Sequence, residues 1–173
     1  VEQDRHEDVV LVHKVESITL PLRIVTKQER DISRDEFEKA DALIKADSRA
    51  ADQQLARRNW NLSVVERYNS QKSNKNQTMQ SEIHVLRLGD IAICTNGFEL
   101  FTDYGLRIEA QSKALQTFII QLTGPGTYLP TAKAVAGGGY SAVAQSSIVG
   151  PDGGQILVDE TVRLMNDMFV PVK

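Results

Sequence analysis

The chain has 173 residues, 41% of them hydrophobic and 25% charged, with a formal net charge of -3. That length suffices for one domain with a real core. The acidic balance, without a basic stripe interleaved with aromatics, gives no footing for nucleic acid, and no apolar run approaches the roughly 18 residues of a membrane span.

Residues 1 to 8 are polar and charged and read as a frayed start or a linker. The first residue is Val1 rather than Met, and no signal peptide is visible. This reads as a processed or truncated chain, with parts of an active site upstream. Val9 to Val15 reads as a strand. Ser17 to Val25 alternates, with Ile18, Leu20, Leu22 and Ile24 on one face, and Pro21 marks it as an edge or bulged strand. Ser33-Arg-Asp-Glu36 is a capping box, which predicts a helix over 34–47 with Phe37, Ala40, Leu43 and Ile44 inward. A second helix is expected over 50–71, burying Leu55, Trp60, Leu62, Val65 and Tyr68. Residues 26 to 80 thus read as a helical insertion followed by an exposed loop, and 81 to 173 as the remainder of the domain.

Ser81 to Leu88 alternates and should pair with the apolar run Ile91 to Cys94 through a Gly89-Asp90 turn. Asn96-Gly97 breaks that run. Phe98, Phe101, Leu106 and Ile108 predict a helix with Glu99 in its first turn. Gln116 to Leu122 is another strand. Residues 123 to 154 are irregular, and six of their glycines, at 124, 126, 137, 138, 139 and 150, are hard to place in regular structure. Loops of that length are usually functional or disordered, and Tyr128, Val135, Tyr140 and Val143 speak against disorder. A last helix over 154–169 buries Leu157, Val158, Val162, Met165 and Phe169. The elements together make an α/β or α+β domain, with a mixed sheet flanked by helices.

Few residues carry an obvious chemistry. The only cysteine, Cys94, lies in an apolar strand and reads as an inert buried thiol. His6, His13 and His84 belong to no HExxH or HxH pair. Gly137-Gly-Gly139 lacks the spacing of a nucleotide loop and reads as a turn with unusual backbone angles. There is no GxSxG elbow. Asn61-Leu-Ser63 and Asn76-Gln-Thr78 match the glycosylation sequon, a frequent chance match. What remains is Glu99, with Tyr128 and Tyr140 twelve residues apart. Glu99 also reads as a complement to a helix dipole, and both tyrosines as packing anchors.

A set of motifs adds to this: Gly89-Asp-Ile-Ala-Ile93, Asn96-Gly-Phe-Glu-Leu-Phe101, Asp103-Tyr-Gly105, Gln116-Thr-Phe118, Tyr128-Leu-Pro-Thr131, Gly138-Gly-Tyr140 and Gly150-Pro-Asp-Gly-Gly154. Together they resemble the late part of the catalytic domain of the neutral/alkaline non-lysosomal ceramidase family, above all its bacterial members. The matched motifs span roughly residues 82 to 169.

The resemblance implies a fragment of a larger zinc hydrolase domain acting on an amide, such as an N-acylated lipid. It maps the glutamate zinc ligand to Glu99, the tyrosine ligand to Tyr128, and the tyrosine that hydrogen-bonds the reacting carbonyl to Tyr140. The spacing of the two tyrosines agrees with the family pattern. The family's two zinc histidines lie upstream, and His6, His13 and His84 do not match their motif. Tyr140-Ser-Ala142 departs from the Tyr-Glu-Ala of true ceramidases, which bears on ceramide as the substrate. The resemblance also implies a secreted or periplasmic protein, whose zinc site is completed by the upstream part of the same polypeptide. The alternative is a non-catalytic domain that keeps the fold and binds a ligand or a partner protein through its glycine-rich loops.

Overall fold

The computed structural model describes residues 8–169; His6 and the expected frayed start up to residue 7 lie outside that range. In chain order the elements are β1 (Leu11–Pro21), α1 (Lys27–Ala46), α2 (Ala51–Ser73), β2 (Thr78–Leu88), β3 (Ile91–Thr95), β4 (Glu99–Leu100), α3 (Thr102–Gln111), β5 (Gln116–Ile120), β6 (Tyr128–Leu129), α4 (Ala132–Gly137) and α5 (Pro151–Asn166). Four strands form one mixed sheet in the order β1-β2-β3-β5, and β4 with β6 form a second, two-stranded sheet.

The frame is a long antiparallel ribbon. β1 and β2 pair without a break from Leu11↔Leu88 to Pro21↔Thr78. The expected two strands between Val9 and Val25 are therefore one. β1 lies at the sheet edge, where a proline is tolerated, and it ends at Pro21. The β2–β3 hairpin turns on Gly89 and Asp90, with Leu88↔Ile91 as its last pair. Gly89 has a φ of +60°, as the first central residue of a type II′ turn requires. β5 then joins β3 in parallel, from Ile91↔Gln116 to Thr95↔Ile120. A parallel neighbour needs a crossover, and α3 supplies it.

Alternation decides which side of the sheet is covered. Ile18, Leu20, Ile83, Val85, Ala92 and Cys94 point to one face and are buried there with Ile108 of α3 and Leu157, Val158 and Met165 of α5. The Cys94 thiol is among them, and burial pushes its pKa up to about 12, so it is neutral and unreactive. The other face is left open: Val15, Phe118 and Ile120 are each nearly half exposed. Helices α3 and α5 thus flank the sheet on one side.

The starts of α1 and α5 differ from the sequence expectation. α1 begins seven residues earlier than the capping box at Ser33 suggests. Thr26 is its N-cap: the Thr26 side chain accepts from the Glu29 N–H, and the Glu29 carboxylate accepts from the Thr26 N–H. Thr26-Lys-Gln-Glu29 has the same capping spacing, and nothing between it and Ser33 stops the helix. Ser33 is fully buried mid-helix instead. α5 starts at Pro151, with proline in its first turn.

The α1–α2 hairpin packs differently from an amphipathic pair. α2 buries Asn61, Val64 and Gln71, whereas Leu55 and Trp60 stay exposed. On α1, Ala40 is buried but Leu43 is half exposed. Polar links hold the pair together: Arg58 to Asp41 at 2.8 Å, and Arg57 to Glu36. The expected exposed loop is short, because α2 runs to Ser73 and β2 begins at Thr78.

The α5–α3 contact depends on a glycine. A Cβ on Gly154 would sit 2.3 Å from the Tyr104 hydroxyl oxygen. Tyr104 is itself buried and donates to the Pro130 carbonyl at 3.0 Å. Gly154→Ala is expected to destabilise the fold by about 1–3 kcal/mol through overpacking. Gly105→Ala, on α3 with nothing within 4 Å of the added carbon, should stabilise by about 0.5–1 kcal/mol. Urea midpoints of the two variants against the parent measure both.

Candidate functional site

Glu99 belongs to a strand, not to the first turn of a helix. α3 begins only at Thr102, and Glu99 and Leu100 form β4. The reason is the turn before it. Asn96 is buried and its side-chain oxygen accepts from the Phe98 N–H at 3.0 Å, while its own N–H donates to the Ile120 carbonyl. Phe98 is drawn into the core. The next residues are thereby extended, and the Glu99 N–H donates to the Thr127 carbonyl at 3.1 Å. A second constraint comes from Gly126, where a Cβ would lie 2.1 Å from the Gly97 carbonyl oxygen. Only glycine allows the two chains to approach that closely.

That approach places Tyr128 directly beside Glu99, as parallel partners in β4 and β6. Parallel partners carry their side chains to the same face. The Tyr128 phenol pKa is raised first by its hydrogen bond to the Glu99 carboxylate, then by partial burial and by the carboxylate charge. Ser141, close by, pulls the other way. With its pKa raised, the phenol is protonated at neutral pH.

Tyr140 completes the group. It opens a short 3-10 turn, Tyr140–Ala142, and its carbonyl accepts from the Ser146 hydroxyl at 2.5 Å. Its ring meets the Tyr128 ring edge-on, with centroids 6.0 Å apart and planes at 80°. On its other side Tyr140 lies against Trp60 of α2, centroids 5.6 Å apart. Sequence reading expected Trp60 in the helix core; it is instead 37% exposed. Ser141 carried no signal beyond its place next to Tyr140.

The three residues singled out from sequence, Glu99, Tyr128 and Tyr140, are thus neighbours in space. The histidines are elsewhere. His13 and His84 lie on the open face of the larger sheet, joined at 3.0 Å between His13 Nε2 and His84 Nδ1, with Glu82 2.9 Å from His84 Nε2. Among the described residues no three His, Cys, Asp or Glu side chains are grouped so as to hold a metal ion. The Glu99–Tyr128 pair offers two oxygen donors. Both types suit a small divalent cation, but they amount to half of a tetrahedral zinc set. The irregular 123–154 region also holds the short helix α4, capped by Thr131 and closed by Gly138 at a φ of +68°, which is the turn expected of that glycine run.

The phenol–carboxylate pair has a pH signature. The folded pKa of Tyr128 is raised, so its contribution to stability is fully present below about pH 10 and is lost as pH climbs past the folded value. In an alkaline titration read at the tyrosinate band, Tyr128→Phe should remove one late-ionising tyrosine. Glu99→Gln should bring that tyrosine back towards its ordinary range. An unchanged titration in Glu99→Gln would mean that the two side chains do not interact.

No protein-family model matches the chain, and no curated protein does. Part of it is similar to two solved structures. One is described as ceramidase complexed with C2, at 20% identity and a TM-score of 0.42 over 53% of this chain and 16% of that one. The other is neutral ceramidase from Pseudomonas aeruginosa, at 20% identity and a TM-score of 0.43 over 55% of this chain and 16% of that one. The chain therefore spans about a sixth of the length of either neighbour.

Proposed function

We propose that this chain is the late part of the catalytic domain of a ceramidase-like, zinc-dependent amide hydrolase. On this reading Glu99 and Tyr128 are two of the metal ligands and Tyr140 is the catalytic hydrogen-bond donor. Residues 81–173 form the half of the domain that carries the site, and 26–80 the helical insertion beside it. The observation that carries the reading is the convergence of Glu99 and Tyr128 as parallel strand partners, with Tyr140 against the second of them.

The residues fit such a metal in part. A carboxylate and a phenol on parallel strand partners can turn both oxygens to one cation, and the cation would displace the phenol proton. Zinc, when bound, would supply a polarised water at neutral pH. Two further ligands would come from polypeptide outside this chain, because His13 and His84 stand on another sheet. Tyr140, more than two-thirds exposed, can donate its phenolic proton in a hydrogen bond to an amide oxygen presented over Tyr128. Such a donor serves the developing negative charge better than the ground-state carbonyl. The substrate on this reading is an N-acylated lipid or another small amide, met outside the cytoplasm.

The test uses the full-length protein, with zinc content and amidase activity measured side by side. Glu99→Ala and Tyr128→Phe should both lower bound zinc and activity. Tyr140→Phe should keep its zinc and lose about 10²–10³ in kcat. The 173-residue chain alone should bind zinc weakly and be inactive. Full activity and metal content in both ligand variants would overturn the assignment and favour a binding module on the same fold.

A further inference from the structure

Beside Tyr140, on the side away from Glu99, a groove of about 780 Å³ runs between the α1–α2 hairpin and the 140–145 segment. Its volume lies within the roughly 300–1,000 Å³ of small-molecule sites. Two aromatic rings form its wall at the end nearest the candidate site. Trp60 is 37% exposed and Tyr140 68% exposed, and their planes are tilted by 40°. Open aromatic faces of this size are costly to leave in water unless something covers them.

The rest of the lining is hydrogen-bonding. Gln145 Nε2 donates to both the Ser33 hydroxyl and the Asn61 side-chain oxygen, each at 3.0 Å, and Asn61 Nδ2 donates to the Arg57 carbonyl at 2.9 Å. Both N–H groups of the Gln145 amide are thereby committed, which fixes the amide and leaves its carbonyl oxygen as an oriented acceptor. Across the groove the Glu36 carboxylate and the Arg57 guanidinium are ion-paired and still partly exposed. Lysine 39 and Arg57 hold the Glu36 carboxyl below its usual pKa, so it is an acceptor at neutral pH.

An alkyl chain laid here would gain contact with two rings and would strip water from two amides, a carboxylate and a guanidinium without replacing its hydrogen bonds. A ring bearing hydroxyl groups does not have that difficulty. Its C–H face can lie on Trp60 while its hydroxyls exchange hydrogen bonds with Gln145, Glu36 and Arg57. We infer that this groove is a subsite for a polyhydroxylated ring, a sugar or cyclitol head group attached to the amide compound whose carbonyl reaches Tyr140. The inference deepens the proposed function and relies on it only for the word amide; occupancy of the groove needs no metal.

Trp60 is the only tryptophan of the chain, so its fluorescence reports the groove directly. Methyl β-glucopyranoside and myo-inositol are titrated into the 173-residue chain, with hexanoate as the alkyl comparison. At least one of the two polyols should give a saturable change, with a Kd on the order of 1–10 mM, and hexanoate none. Amide shifts in two-dimensional NMR then follow the same titration in Trp60→Ala, expected to bind at least about tenfold more weakly, and in Trp60→Phe, expected to stay within about threefold. Glu99→Gln should bind the polyol as the parent does, which separates a failure of the metal reading from a failure of this one. Saturation by hexanoate alone, no saturation by either polyol, or unchanged binding in a folded Trp60→Ala would overturn the inference.

Discussion

One buried guanidinium ties the molecule together. Arg23 leaves β1 just after the edge strand ends, with its side chain only 9% exposed. It donates to the Ala142 carbonyl, the Ser147 hydroxyl and the Glu29 carboxylate, each at 2.6 Å. A charge removed from water this far is tolerable only with such partners, since an unpaired one costs several kcal/mol. The three acceptors belong to the site loop, to its base, and to the cap of α1. Gln71, from the far end of α2, takes up the Arg23 carbonyl and the Val25 N–H. Arg23 thereby links the cap of α1 to the tyrosine loop, and Gln145 and Arg67 add further bonds between that loop and the hairpin. Nearby Arg67, donating to the Ala144 carbonyl, feels the same crowding: burial first, and then the Arg23 charge, lower its pKa.

That arrangement explains which parts of the fold were legible in the sequence. The sheet was, because alternation and a glycine turn are local signals: Ile83 and Val85 face inward, Gly89 turns, and Pro21 stands on an edge. The hairpin α1–α2 was legible in its existence and not in its packing. Its inward face includes Asn61, Gln71 and Ser33, which have hydrogen-bond partners between 46 and 112 residues away in sequence. A search for apolar periodicity passes over such a face and promotes Leu55 and Trp60 in its place. The capping residue was missed for a related reason. Two boxes of the same spacing stand seven residues apart, and the nearer one to the apolar stripe is the wrong one.

Glu99, Tyr128 and Tyr140 were singled out through a family resemblance, not through geometry. Nothing local says that Glu99 and Tyr128 should meet. Their meeting depends on Asn96 bending the chain after β3 and on Gly126 clearing the space opposite Gly97. The assumed helix at Glu99 would have turned the carboxylate a different way. The two-stranded sheet instead aligns it with the phenol, so a loop that looked irregular is a short and specific pairing.

The uncovered side of the large sheet has a practical meaning. It presents Leu11, Val15, Leu88, Phe118 and Ile120 in one layer, all at least 40% exposed, and among the described residues β5 is an edge strand. Faces and edges of this kind recruit like surfaces from neighbouring molecules. For the chain handled by itself, concentration rather than temperature would set the limit of a clear solution.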